Sequence, residues 1–306
     1  MKHTLKVTIT LVLFFFVAQF VGLLVVNQYI DHQKTIETKE ITYKPLPYNL
    51  ERPEVQNQST SFIYVIVLMF IGTGILLLII KTNKPIIWKI MFFISVFSTL
   101  TISFSAFINQ FLAGIIALTI TILKIYKPNV IIQNFSEIFI YGGLAAVLVN
   151  IFNIFGVVML LIIVSIYDYI SVYKTKHMID LAKFQSQSKI FAGLFIPYQR
   201  GKISLKGKLQ KSETNKRQLK AAPKQSVAVL GGGDIGFTLI FAGVVMKDLI
   251  LQNTVIFGFL KTLIVPVCVS IALLVLLLKG QQNKFYPAMP ILSFGCFIGY
   301  LIVLLL

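Results

Sequence analysis

Long apolar runs constrain this chain more than any other feature of its sequence. A helix needs about 20 predominantly apolar residues to cross a bilayer, and nine segments come close to that length. They are residues 7–28, 61–81, 86–107, 109–126, 137–154, 156–173, 226–247, 254–278 and 286–306. We predict an all-α polytopic membrane protein with nine transmembrane helices, or eight if the short junction near Asn109 or the one near Asn153 does not separate two helices. The first run exceeds the 7–15 apolar residues typical of a signal peptide, so we expect it to be retained.

The charges indicate how these helices are oriented. Only 13% of the 306 residues are charged, and 28 Lys and Arg oppose 11 Asp and Glu, which gives a net charge of +17. Of the 28 cations, 22 fall before the first helix or in alternate junctions. The positive-inside rule then places the N-terminus in the cytoplasm and the C-terminus outside. This charge requires no nucleic acid as a partner, and we expect a multi-pass protein of the cell membrane.

The same pattern divides the chain into three parts. Residues 1–173 would hold helices one to six with an extracytoplasmic loop at 29–60, residues 174–225 a basic cytoplasmic loop, and residues 226–306 helices seven to nine. We expect the basic loop to be a solvated linker, in which the apolar stretch 190–197 could lie on the anionic leaflet. Cysteine and histidine are scattered without zinc-ligand spacing, so we predict neither a metal nor a cofactor.

Acidic residues are the most informative side chains. Of the eleven, seven fall in loops, and Glu137 and Asp248 lie at predicted helix ends. The remaining two, Asp168 and Asp234, lie inside predicted spans. A carboxylate in hydrocarbon costs about 2.5–3.5 kcal/mol on insertion scales, so each is a functional candidate. The two spans are consecutive and antiparallel, so the carboxyls can face each other, share a proton and activate water against a peptide carbonyl. Separate pairing with polar neighbours, or a proton relay in a transporter, explains the same positions.

Two irregular segments accompany these acids. Gly231, Gly232 and Gly233 directly precede Asp234, although each glycine costs a helix about 1 kcal/mol relative to alanine. They suit either an extended substrate beside the carboxylate or close packing of helices. The segment 286–290, Tyr-Pro-Ala-Met-Pro, interrupts regular hydrogen bonding. Its backbone could pair with a substrate strand, or the prolines could simply begin a helix.

These motifs together resemble those of a known family. Tyr167-Asp168 matches a YD motif, Gly231-Gly232-Gly233-Asp234 matches GxGD, and Pro287-Ala288-Met289 stands where the family has Pro-Ala-Leu. The chain resembles the presenilin and signal-peptide-peptidase family of intramembrane aspartyl proteases, most of all its archaeal presenilin homologues. The resemblance is good over residues 137–306. The methionine departs from the pattern, but it is apolar and close to leucine in volume, so we expect function to survive.

The resemblance implies hydrolysis of peptide bonds within transmembrane helices, with Asp168 and Asp234 as the catalytic pair and no cofactor. Tyr167 and the two backbone motifs would shape the active site and bind substrate. The predicted orientation, as in presenilin, implies single-span substrates with their N-terminus outside. We hypothesise that residues 220–230 or 286–290 offer a strand to the unwound substrate. Membrane lipids surround the protein, obligate partner subunits are not predicted, and a homo-oligomer is left open.

Two other functions fit the same acids. An ion- or proton-coupled transporter, or a cation leak channel, would use Asp168 and Asp234 as ion sites and would conduct without proteolysis. A prepilin-peptidase-like GxGD protease would cut near the cytoplasmic face. That family lacks the Pro287-Ala288-Met289 feature, which favours the presenilin-like interpretation.

Overall fold

The computed structural model describes residues 5–53, 55, 57–82, 85–175, 192–198, 226–252, 254–280 and 286–306. This part of the chain is mostly helical. The helices are α1 (Leu5–Tyr29), α2 (His32–Thr38), α3 (Ser61–Thr82), α4 (Pro85–Ser105), α5 (Gln110–Tyr126), α6 (Val130–Leu148), α7 (Ile154–Ile170), α8 (Gly232–Gln252), α9 (Val255–Thr262), α10 (Ile264–Lys279) and α11 (Met289–Leu305). Two strands, β1 (Gly193–Tyr198) and β2 (Ser226–Gly231), lie between α7 and α8 in the chain.

Six helical segments of the described chain are long and apolar enough to cross a bilayer. They are α1, α3, α4, α6, α7 and the α9–α10 pair, while α5 and α11 are apolar but shorter. Helix α8 lies at the centre of the bundle, in contact with α1, α6, α7, α9 and α11. Most of its side chains are buried there. The arrangement therefore places α8, one of the two predicted aspartate helices, in the interior of an apolar bundle. The other, α7, packs against α8 with one face and leaves side chains such as Ile166 and Tyr169 exposed on the opposite one.

Asparagine caps separate the helices at the two junctions that the sequence left open. The Asn109 side chain accepts a hydrogen bond from the Phe111 amide at 3.0 Å, and that of Asn153 accepts one from the Gly156 amide at 2.7 Å. Such caps satisfy amides at a helix N-terminus that have no partner within the helix. The structure therefore has separate helices at both junctions. The number of helices that cross the membrane and their orientation stay predictions.

The boundary of α6 differs from the prediction in an important way. Asn129 accepts a hydrogen bond from the Ile131 amide, so α6 begins at Val130 rather than at 137. Glu137 is therefore about two turns inside the helix and is buried, so its predicted place at a helix end is wrong. The C-terminal end of α6 also comes early, at Leu148, and a 3₁₀ turn follows at Val149–Ile151.

A proline divides the predicted helix 254–278. The structure has α9 and α10 there, separated at Leu263. Pro266 follows three residues later. It has no amide hydrogen to donate, and its ring clashes with the carbonyl four residues earlier. Continuous hydropathy concealed this break, although the proline itself was visible in the sequence.

The two strands overturn two further predictions. Residues 226–231 form a strand rather than the first turns of a helix, and they pair antiparallel with β1 in the register Gly193 to Gly231. The stretch 193–198 is therefore not a solvated linker. Leu194 is fully buried, and β1 packs on α1 and α6. Residues 176–191 and 199–225, which make up most of the predicted basic loop, lie outside the described residues.

The predicted extracytoplasmic loop between α1 and α3 packs around an arginine. The Arg52 guanidinium lies 5.3 Å from the centre of the Tyr29 ring and 5.1 Å from that of Tyr43. It donates hydrogen bonds to the carbonyls of Lys44 at 2.8 Å and Ala146 at 3.3 Å. The bond to Ala146 ties this loop to α6.

Candidate active site

Asp168 occupies the last turn of α7 and points at the start of α11. It is 6% exposed, and its Oδ2 accepts a hydrogen bond from the Met289 amide at 3.1 Å. The backbone of Ala288 makes a second hydrogen bond to the same carboxyl. Asp168 thus caps α11 from a different helix, where the positive end of the helix dipole favours a negative charge.

The predicted motif Pro287-Ala288-Met289 is therefore a helix start that is bonded to Asp168. Pro287 and Met289 are buried, α11 begins at Met289, and Pro290 stands in its first turn. Ala288 has φ −84° and ψ −35°, which is helical rather than extended. From Ala288 onward this segment is helical, and the Ala288 and Met289 backbones bind Asp168, so residues 288–290 do not offer the strand that was hypothesised for 286–290.

Asp234 lies in the first turn of α8, directly after β2. Its carboxyl group accepts a hydrogen bond from the backbone of Gly231. Helices α7 and α8 pack against each other, and the Asp234 carboxyl is within electrostatic range of Asp168. The structure therefore brings the two predicted aspartates together at one end of the helices, beside the two-stranded sheet.

The three glycines before Asp234 have different surroundings. Gly231 is the last residue of β2, and the Gly232 amide donates to the Ala192 carbonyl at 3.2 Å, which extends the pairing by one residue. The α-carbon of Gly232 lies against the Tyr141 side chain of α6. Gly233 is exposed, and a β-carbon there would meet nothing closer than Phe237 at 3.7 Å. Close helix packing thus explains Gly232, whereas Gly233 is exposed within the part of the chain that the structure describes.

Helix α1 also fixes the first turns of α8. The buried Gln19 amide donates to the Ile235 carbonyl at 3.0 Å and to Thr238 Oγ1 at 2.7 Å. The Thr238 hydroxyl in turn bonds to the Asp234 carbonyl at 2.7 Å. A buried amide costs free energy unless its hydrogen bonds are made, so these contacts favour one placement of the turn that carries Asp234.

A buried polar network beside the site was missed in the sequence. Lys124 Nζ lies 2.6 Å from Glu137 Oε1, and Gln133 donates to the same oxygen at 2.9 Å. The Tyr141 hydroxyl donates to the other oxygen, Oε2. The cap at Asn129, eight residues before Glu137, was the sequence signal that this acid lies inside a helix.

Two side chains of α6 bind the outer edge of β1. Asn134 donates to the Phe195 carbonyl and accepts from the Phe195 amide, each at 2.9 Å. Gln133 donates to the Gly193 carbonyl at 3.0 Å. The Asn134 amide therefore pairs with β1 as a neighbouring strand would, and this edge of the sheet is occupied.

The comparison with protein families decides the identity of the chain. Residues 44–306 match the family model described as "Signal-peptide peptidase, presenilin aspartyl protease". The chain belongs to this family. It is an intramembrane aspartic protease, a peptide hydrolase, and a multi-pass membrane protein.

Solved structures of a presenilin family intramembrane aspartate protease share this fold. One, in space group C222, has a TM-score of 0.60 and 18% identity over 97% of this chain and 98% of that chain. Another, in space group P2, has a TM-score of 0.59 and 17% identity over 97% and 96%. No curated protein sequence matches the chain significantly. At this identity the likeness concerns the fold, and it extends through α1, which precedes the residues matched by the presenilin family model.

Tyr167 of the presenilin-like YD pair has a different neighbourhood from the aspartate that follows it. Its ring packs edge-on against Phe70 of α3, with centroids 5.5 Å apart. Its hydroxyl lies 3.5 Å from Thr73 Oγ1. These contacts tie the last turns of α7 to α3, so Tyr167 helps to hold the helix that carries Asp168.

Proposed function

We propose that Asp168 and Asp234 are the catalytic pair of this protease and that they hydrolyse peptide bonds within transmembrane helices. The observation that carries the proposal is the approach of the two carboxyl groups inside an apolar bundle, each held by backbone donors. Two such groups do not both ionise readily. One carboxylate takes a proton from water, and the protonated partner polarises the scissile carbonyl.

An edge of the small sheet supports a place for the substrate. The Gly232–Ala192 bond fixes which residues face the partner strand, so the main-chain groups of Val227, Val229 and Gly231 point away from β1. The outer edge of β1 is occupied by α6. No strand of the described residues pairs with this other edge of β2, which we call its free edge. We infer that an unwound substrate segment adds to this edge as a third strand. Of the two segments hypothesised to offer a strand, 220–230 and 286–290, this favours the first.

This edge leads directly to the proposed catalytic group. Val229 is 45% exposed, and two residues further along the same edge the Gly231 amide binds Asp234. A peptide paired with Val229 would therefore reach the carboxyl without a change of direction. The exposed Gly233 leaves space beside it. Pro287, Ala288 and Met289 would close the site from the side of Asp168.

The topology and partners follow from the sequence. We infer nine membrane crossings with the N-terminus in the cytoplasm, because 22 of 28 cations then lie on one face of the membrane. Substrates would be single-span proteins with their N-terminus outside. We propose that the chain acts in the lipid bilayer without obligate partner subunits, and a homo-oligomer is left open.

Cleavage of a single-span reporter by the purified protein in detergent tests the catalytic pair. Wild-type protein should yield two fragments by mass spectrometry, and Asp168→Asn and Asp234→Asn should yield none. Asp248→Asn, a matched change in the last turns of α8, should retain activity. Cleavage by either site variant would contradict the pair.

A measurement of ion flux in liposomes tests the transport alternative. Ion flux that persists in both inactive variants would show that the two carboxyl groups serve proteolysis rather than transport.

A further inference from the structure

The side chain of Tyr141 connects the buried network of α6 to the helix turn that carries Asp234. Tyr141 is 6% exposed, and its hydroxyl donates to Glu137 one turn earlier on α6. The same hydroxyl and the Cδ1–Cε1 edge of the ring face α8 at Gly232 and Gly236, on either side of Asp234. We propose that Tyr141 is a positioning residue for Asp234, an inference that rests on the proposed catalytic role of Asp234.

The glycines of α8 show how tightly the ring fits. A β-carbon at Gly232 would lie 3.0 Å from both Cε1 and Cζ of Tyr141, and closer still to its hydroxyl oxygen. A β-carbon at Gly236 would lie 3.6 Å from Cδ1 of the same ring. Tyr141 thus touches α8 two residues before and two residues after Asp234. Its hydroxyl makes glycine the residue that fits at 232, the middle position of the Gly-Gly-Gly-Asp motif.

Glu137 holds the ring in this place. Its carboxylate accepts hydrogen bonds from Tyr141, Gln133 and Lys124, and the Lys124 ammonium neutralises its charge. Lys124 and Glu137 are 3% and 1% exposed, so the network is shielded from water. Charge-assisted hydrogen bonds in such surroundings are strong and directional. They fix the hydroxyl and, through it, the position of the ring against Gly232.

This contact has a specific consequence for the reaction. Because the hydroxyl is bonded to Glu137, Tyr141 acts through the position of the α8 backbone and not by proton transfer to the substrate. A misplacement of a catalytic group by about 1 Å can slow a reaction by about 100-fold. Disturbing the contact should therefore lower kcat, while KM, set by pairing along the free edge of β2, should change little.

The experiment is a double-mutant cycle between Gly232 and Tyr141 with the reporter-cleavage assay. Gly232→Ala should lower kcat at least about tenfold with an unchanged KM, because the new methyl group displaces the turn. Tyr141→Phe alone should lower kcat by less than about fivefold, since the ring remains. In the double variant kcat should return to about that of Tyr141→Phe, because a ring released from Glu137 can yield to the methyl group. Gly74→Ala on α3 is the matched control, because a β-carbon there has no neighbour within 4 Å among the residues that the structure describes. It should leave kcat and KM unchanged both in wild type and in Tyr141→Phe.

Two outcomes would overturn the proposal. In the first, the separate effects of Gly232→Ala and Tyr141→Phe on kcat simply multiply in the double variant. In the second, the substitutions change KM and leave kcat unaltered. If Gly232→Ala does not fold, Tyr141→Leu decides, because loss of the ring should lower kcat and leave KM unchanged. Asp168→Asn and Asp234→Asn are run in parallel. Cleavage by those variants would refute the catalytic pair itself, whereas their inactivity together with an additive cycle would refute only the role of Tyr141.

Discussion

The carboxylate of Asp168 caps the helix that begins at Met289, with 3.1 Å between Oδ2 and the Met289 amide nitrogen. A residue predicted to do chemistry thus also satisfies the amides at the N-terminus of α11, and the two motifs that contain these residues are joined by a direct hydrogen bond. This dual use means that substitutions of Asp168 affect both stability and activity, and the two effects can be separated.

Asp168→Ala should remove the cap and lower the free energy of unfolding by about 0.5–2 kcal/mol, the usual cost of losing an N-cap side chain. Asp168→Asn keeps a side-chain oxygen that can accept the same hydrogen bonds, so its free energy of unfolding should lie within about 0.5 kcal/mol of the wild-type value. Both variants should be inactive on the reporter. Denaturant titration in detergent, followed by circular dichroism, measures the difference, and equal destabilisation of the two variants would contradict the cap.

Val229→Pro should impair substrate binding without opening the sheet. The Val229 amide faces the free edge of β2, and proline is tolerated on a sheet edge where no hydrogen bond to a neighbouring strand is lost. The loss of one hydrogen bond to substrate, about 0.5–1.5 kcal/mol, should lower kcat/KM about two- to tenfold. Ala228→Pro is the control, because its amide faces β1 and its loss should lower the melting temperature. A Val229→Pro enzyme with unchanged kcat/KM would argue against substrate pairing here.

Lys124→Met should destabilise the protein strongly, because it leaves the Glu137 carboxylate buried without a countercharge. Breaking a buried pair in this way typically costs about 3–5 kcal/mol. The double variant Lys124→Met/Glu137→Met should lose less, since no buried charge remains. Lys127→Met, at an exposed lysine of the same junction, should be nearly neutral. Unfolding free energies in mixed micelles provide the measurement, and a double variant less stable than Lys124→Met would contradict the argument.

His32 should make stability depend on pH outside the membrane. Burial lowers the pKa of His32, and Lys44 adds to this, while the Asn27 backbone and Asp31 oppose it. Between this lowered value and the ordinary value near 6.5, the unfolded chain binds more protons than the folded one. Stability should therefore fall as the pH drops below about 6.5. His32→Asn should reduce the change in melting temperature between pH 7.5 and pH 5, and an identical change in the variant would refute this role.

Hydropathy and charge predicted much of the helical organisation, because long apolar runs and their interruptions are local properties of the sequence. The strand at 226–231 was not predictable in this way. Its partner at 193–198 lies some thirty residues earlier, and in a window containing 226–231 alone an apolar strand and a helix start look the same.

The missed side chains share a different cause. Glu137 was assigned to a helix end because the helix boundary was placed seven residues too late, and that error removed the buried network from consideration. Tyr141 could not be connected with Gly232 from sequence, since their contact depends on how α6 packs against α8. The Gly-Gly-Gly-Asp motif indicated that another group packs closely against the backbone there. Only the packing of the helices shows that this group is the Tyr141 side chain.

The clamp of Asn134 on β1 bears on the energetics of capturing a substrate. If β2 became ordered only when the substrate binds, part of the binding free energy would be lost in ordering the enzyme's own backbone. Here β1 is fixed by α6, β2 is fixed by β1, and Gly231 is bonded to Asp234. The entropic cost of cleavage then falls on the substrate alone, so the enzyme would discriminate among transmembrane segments by how readily each one loses its helix.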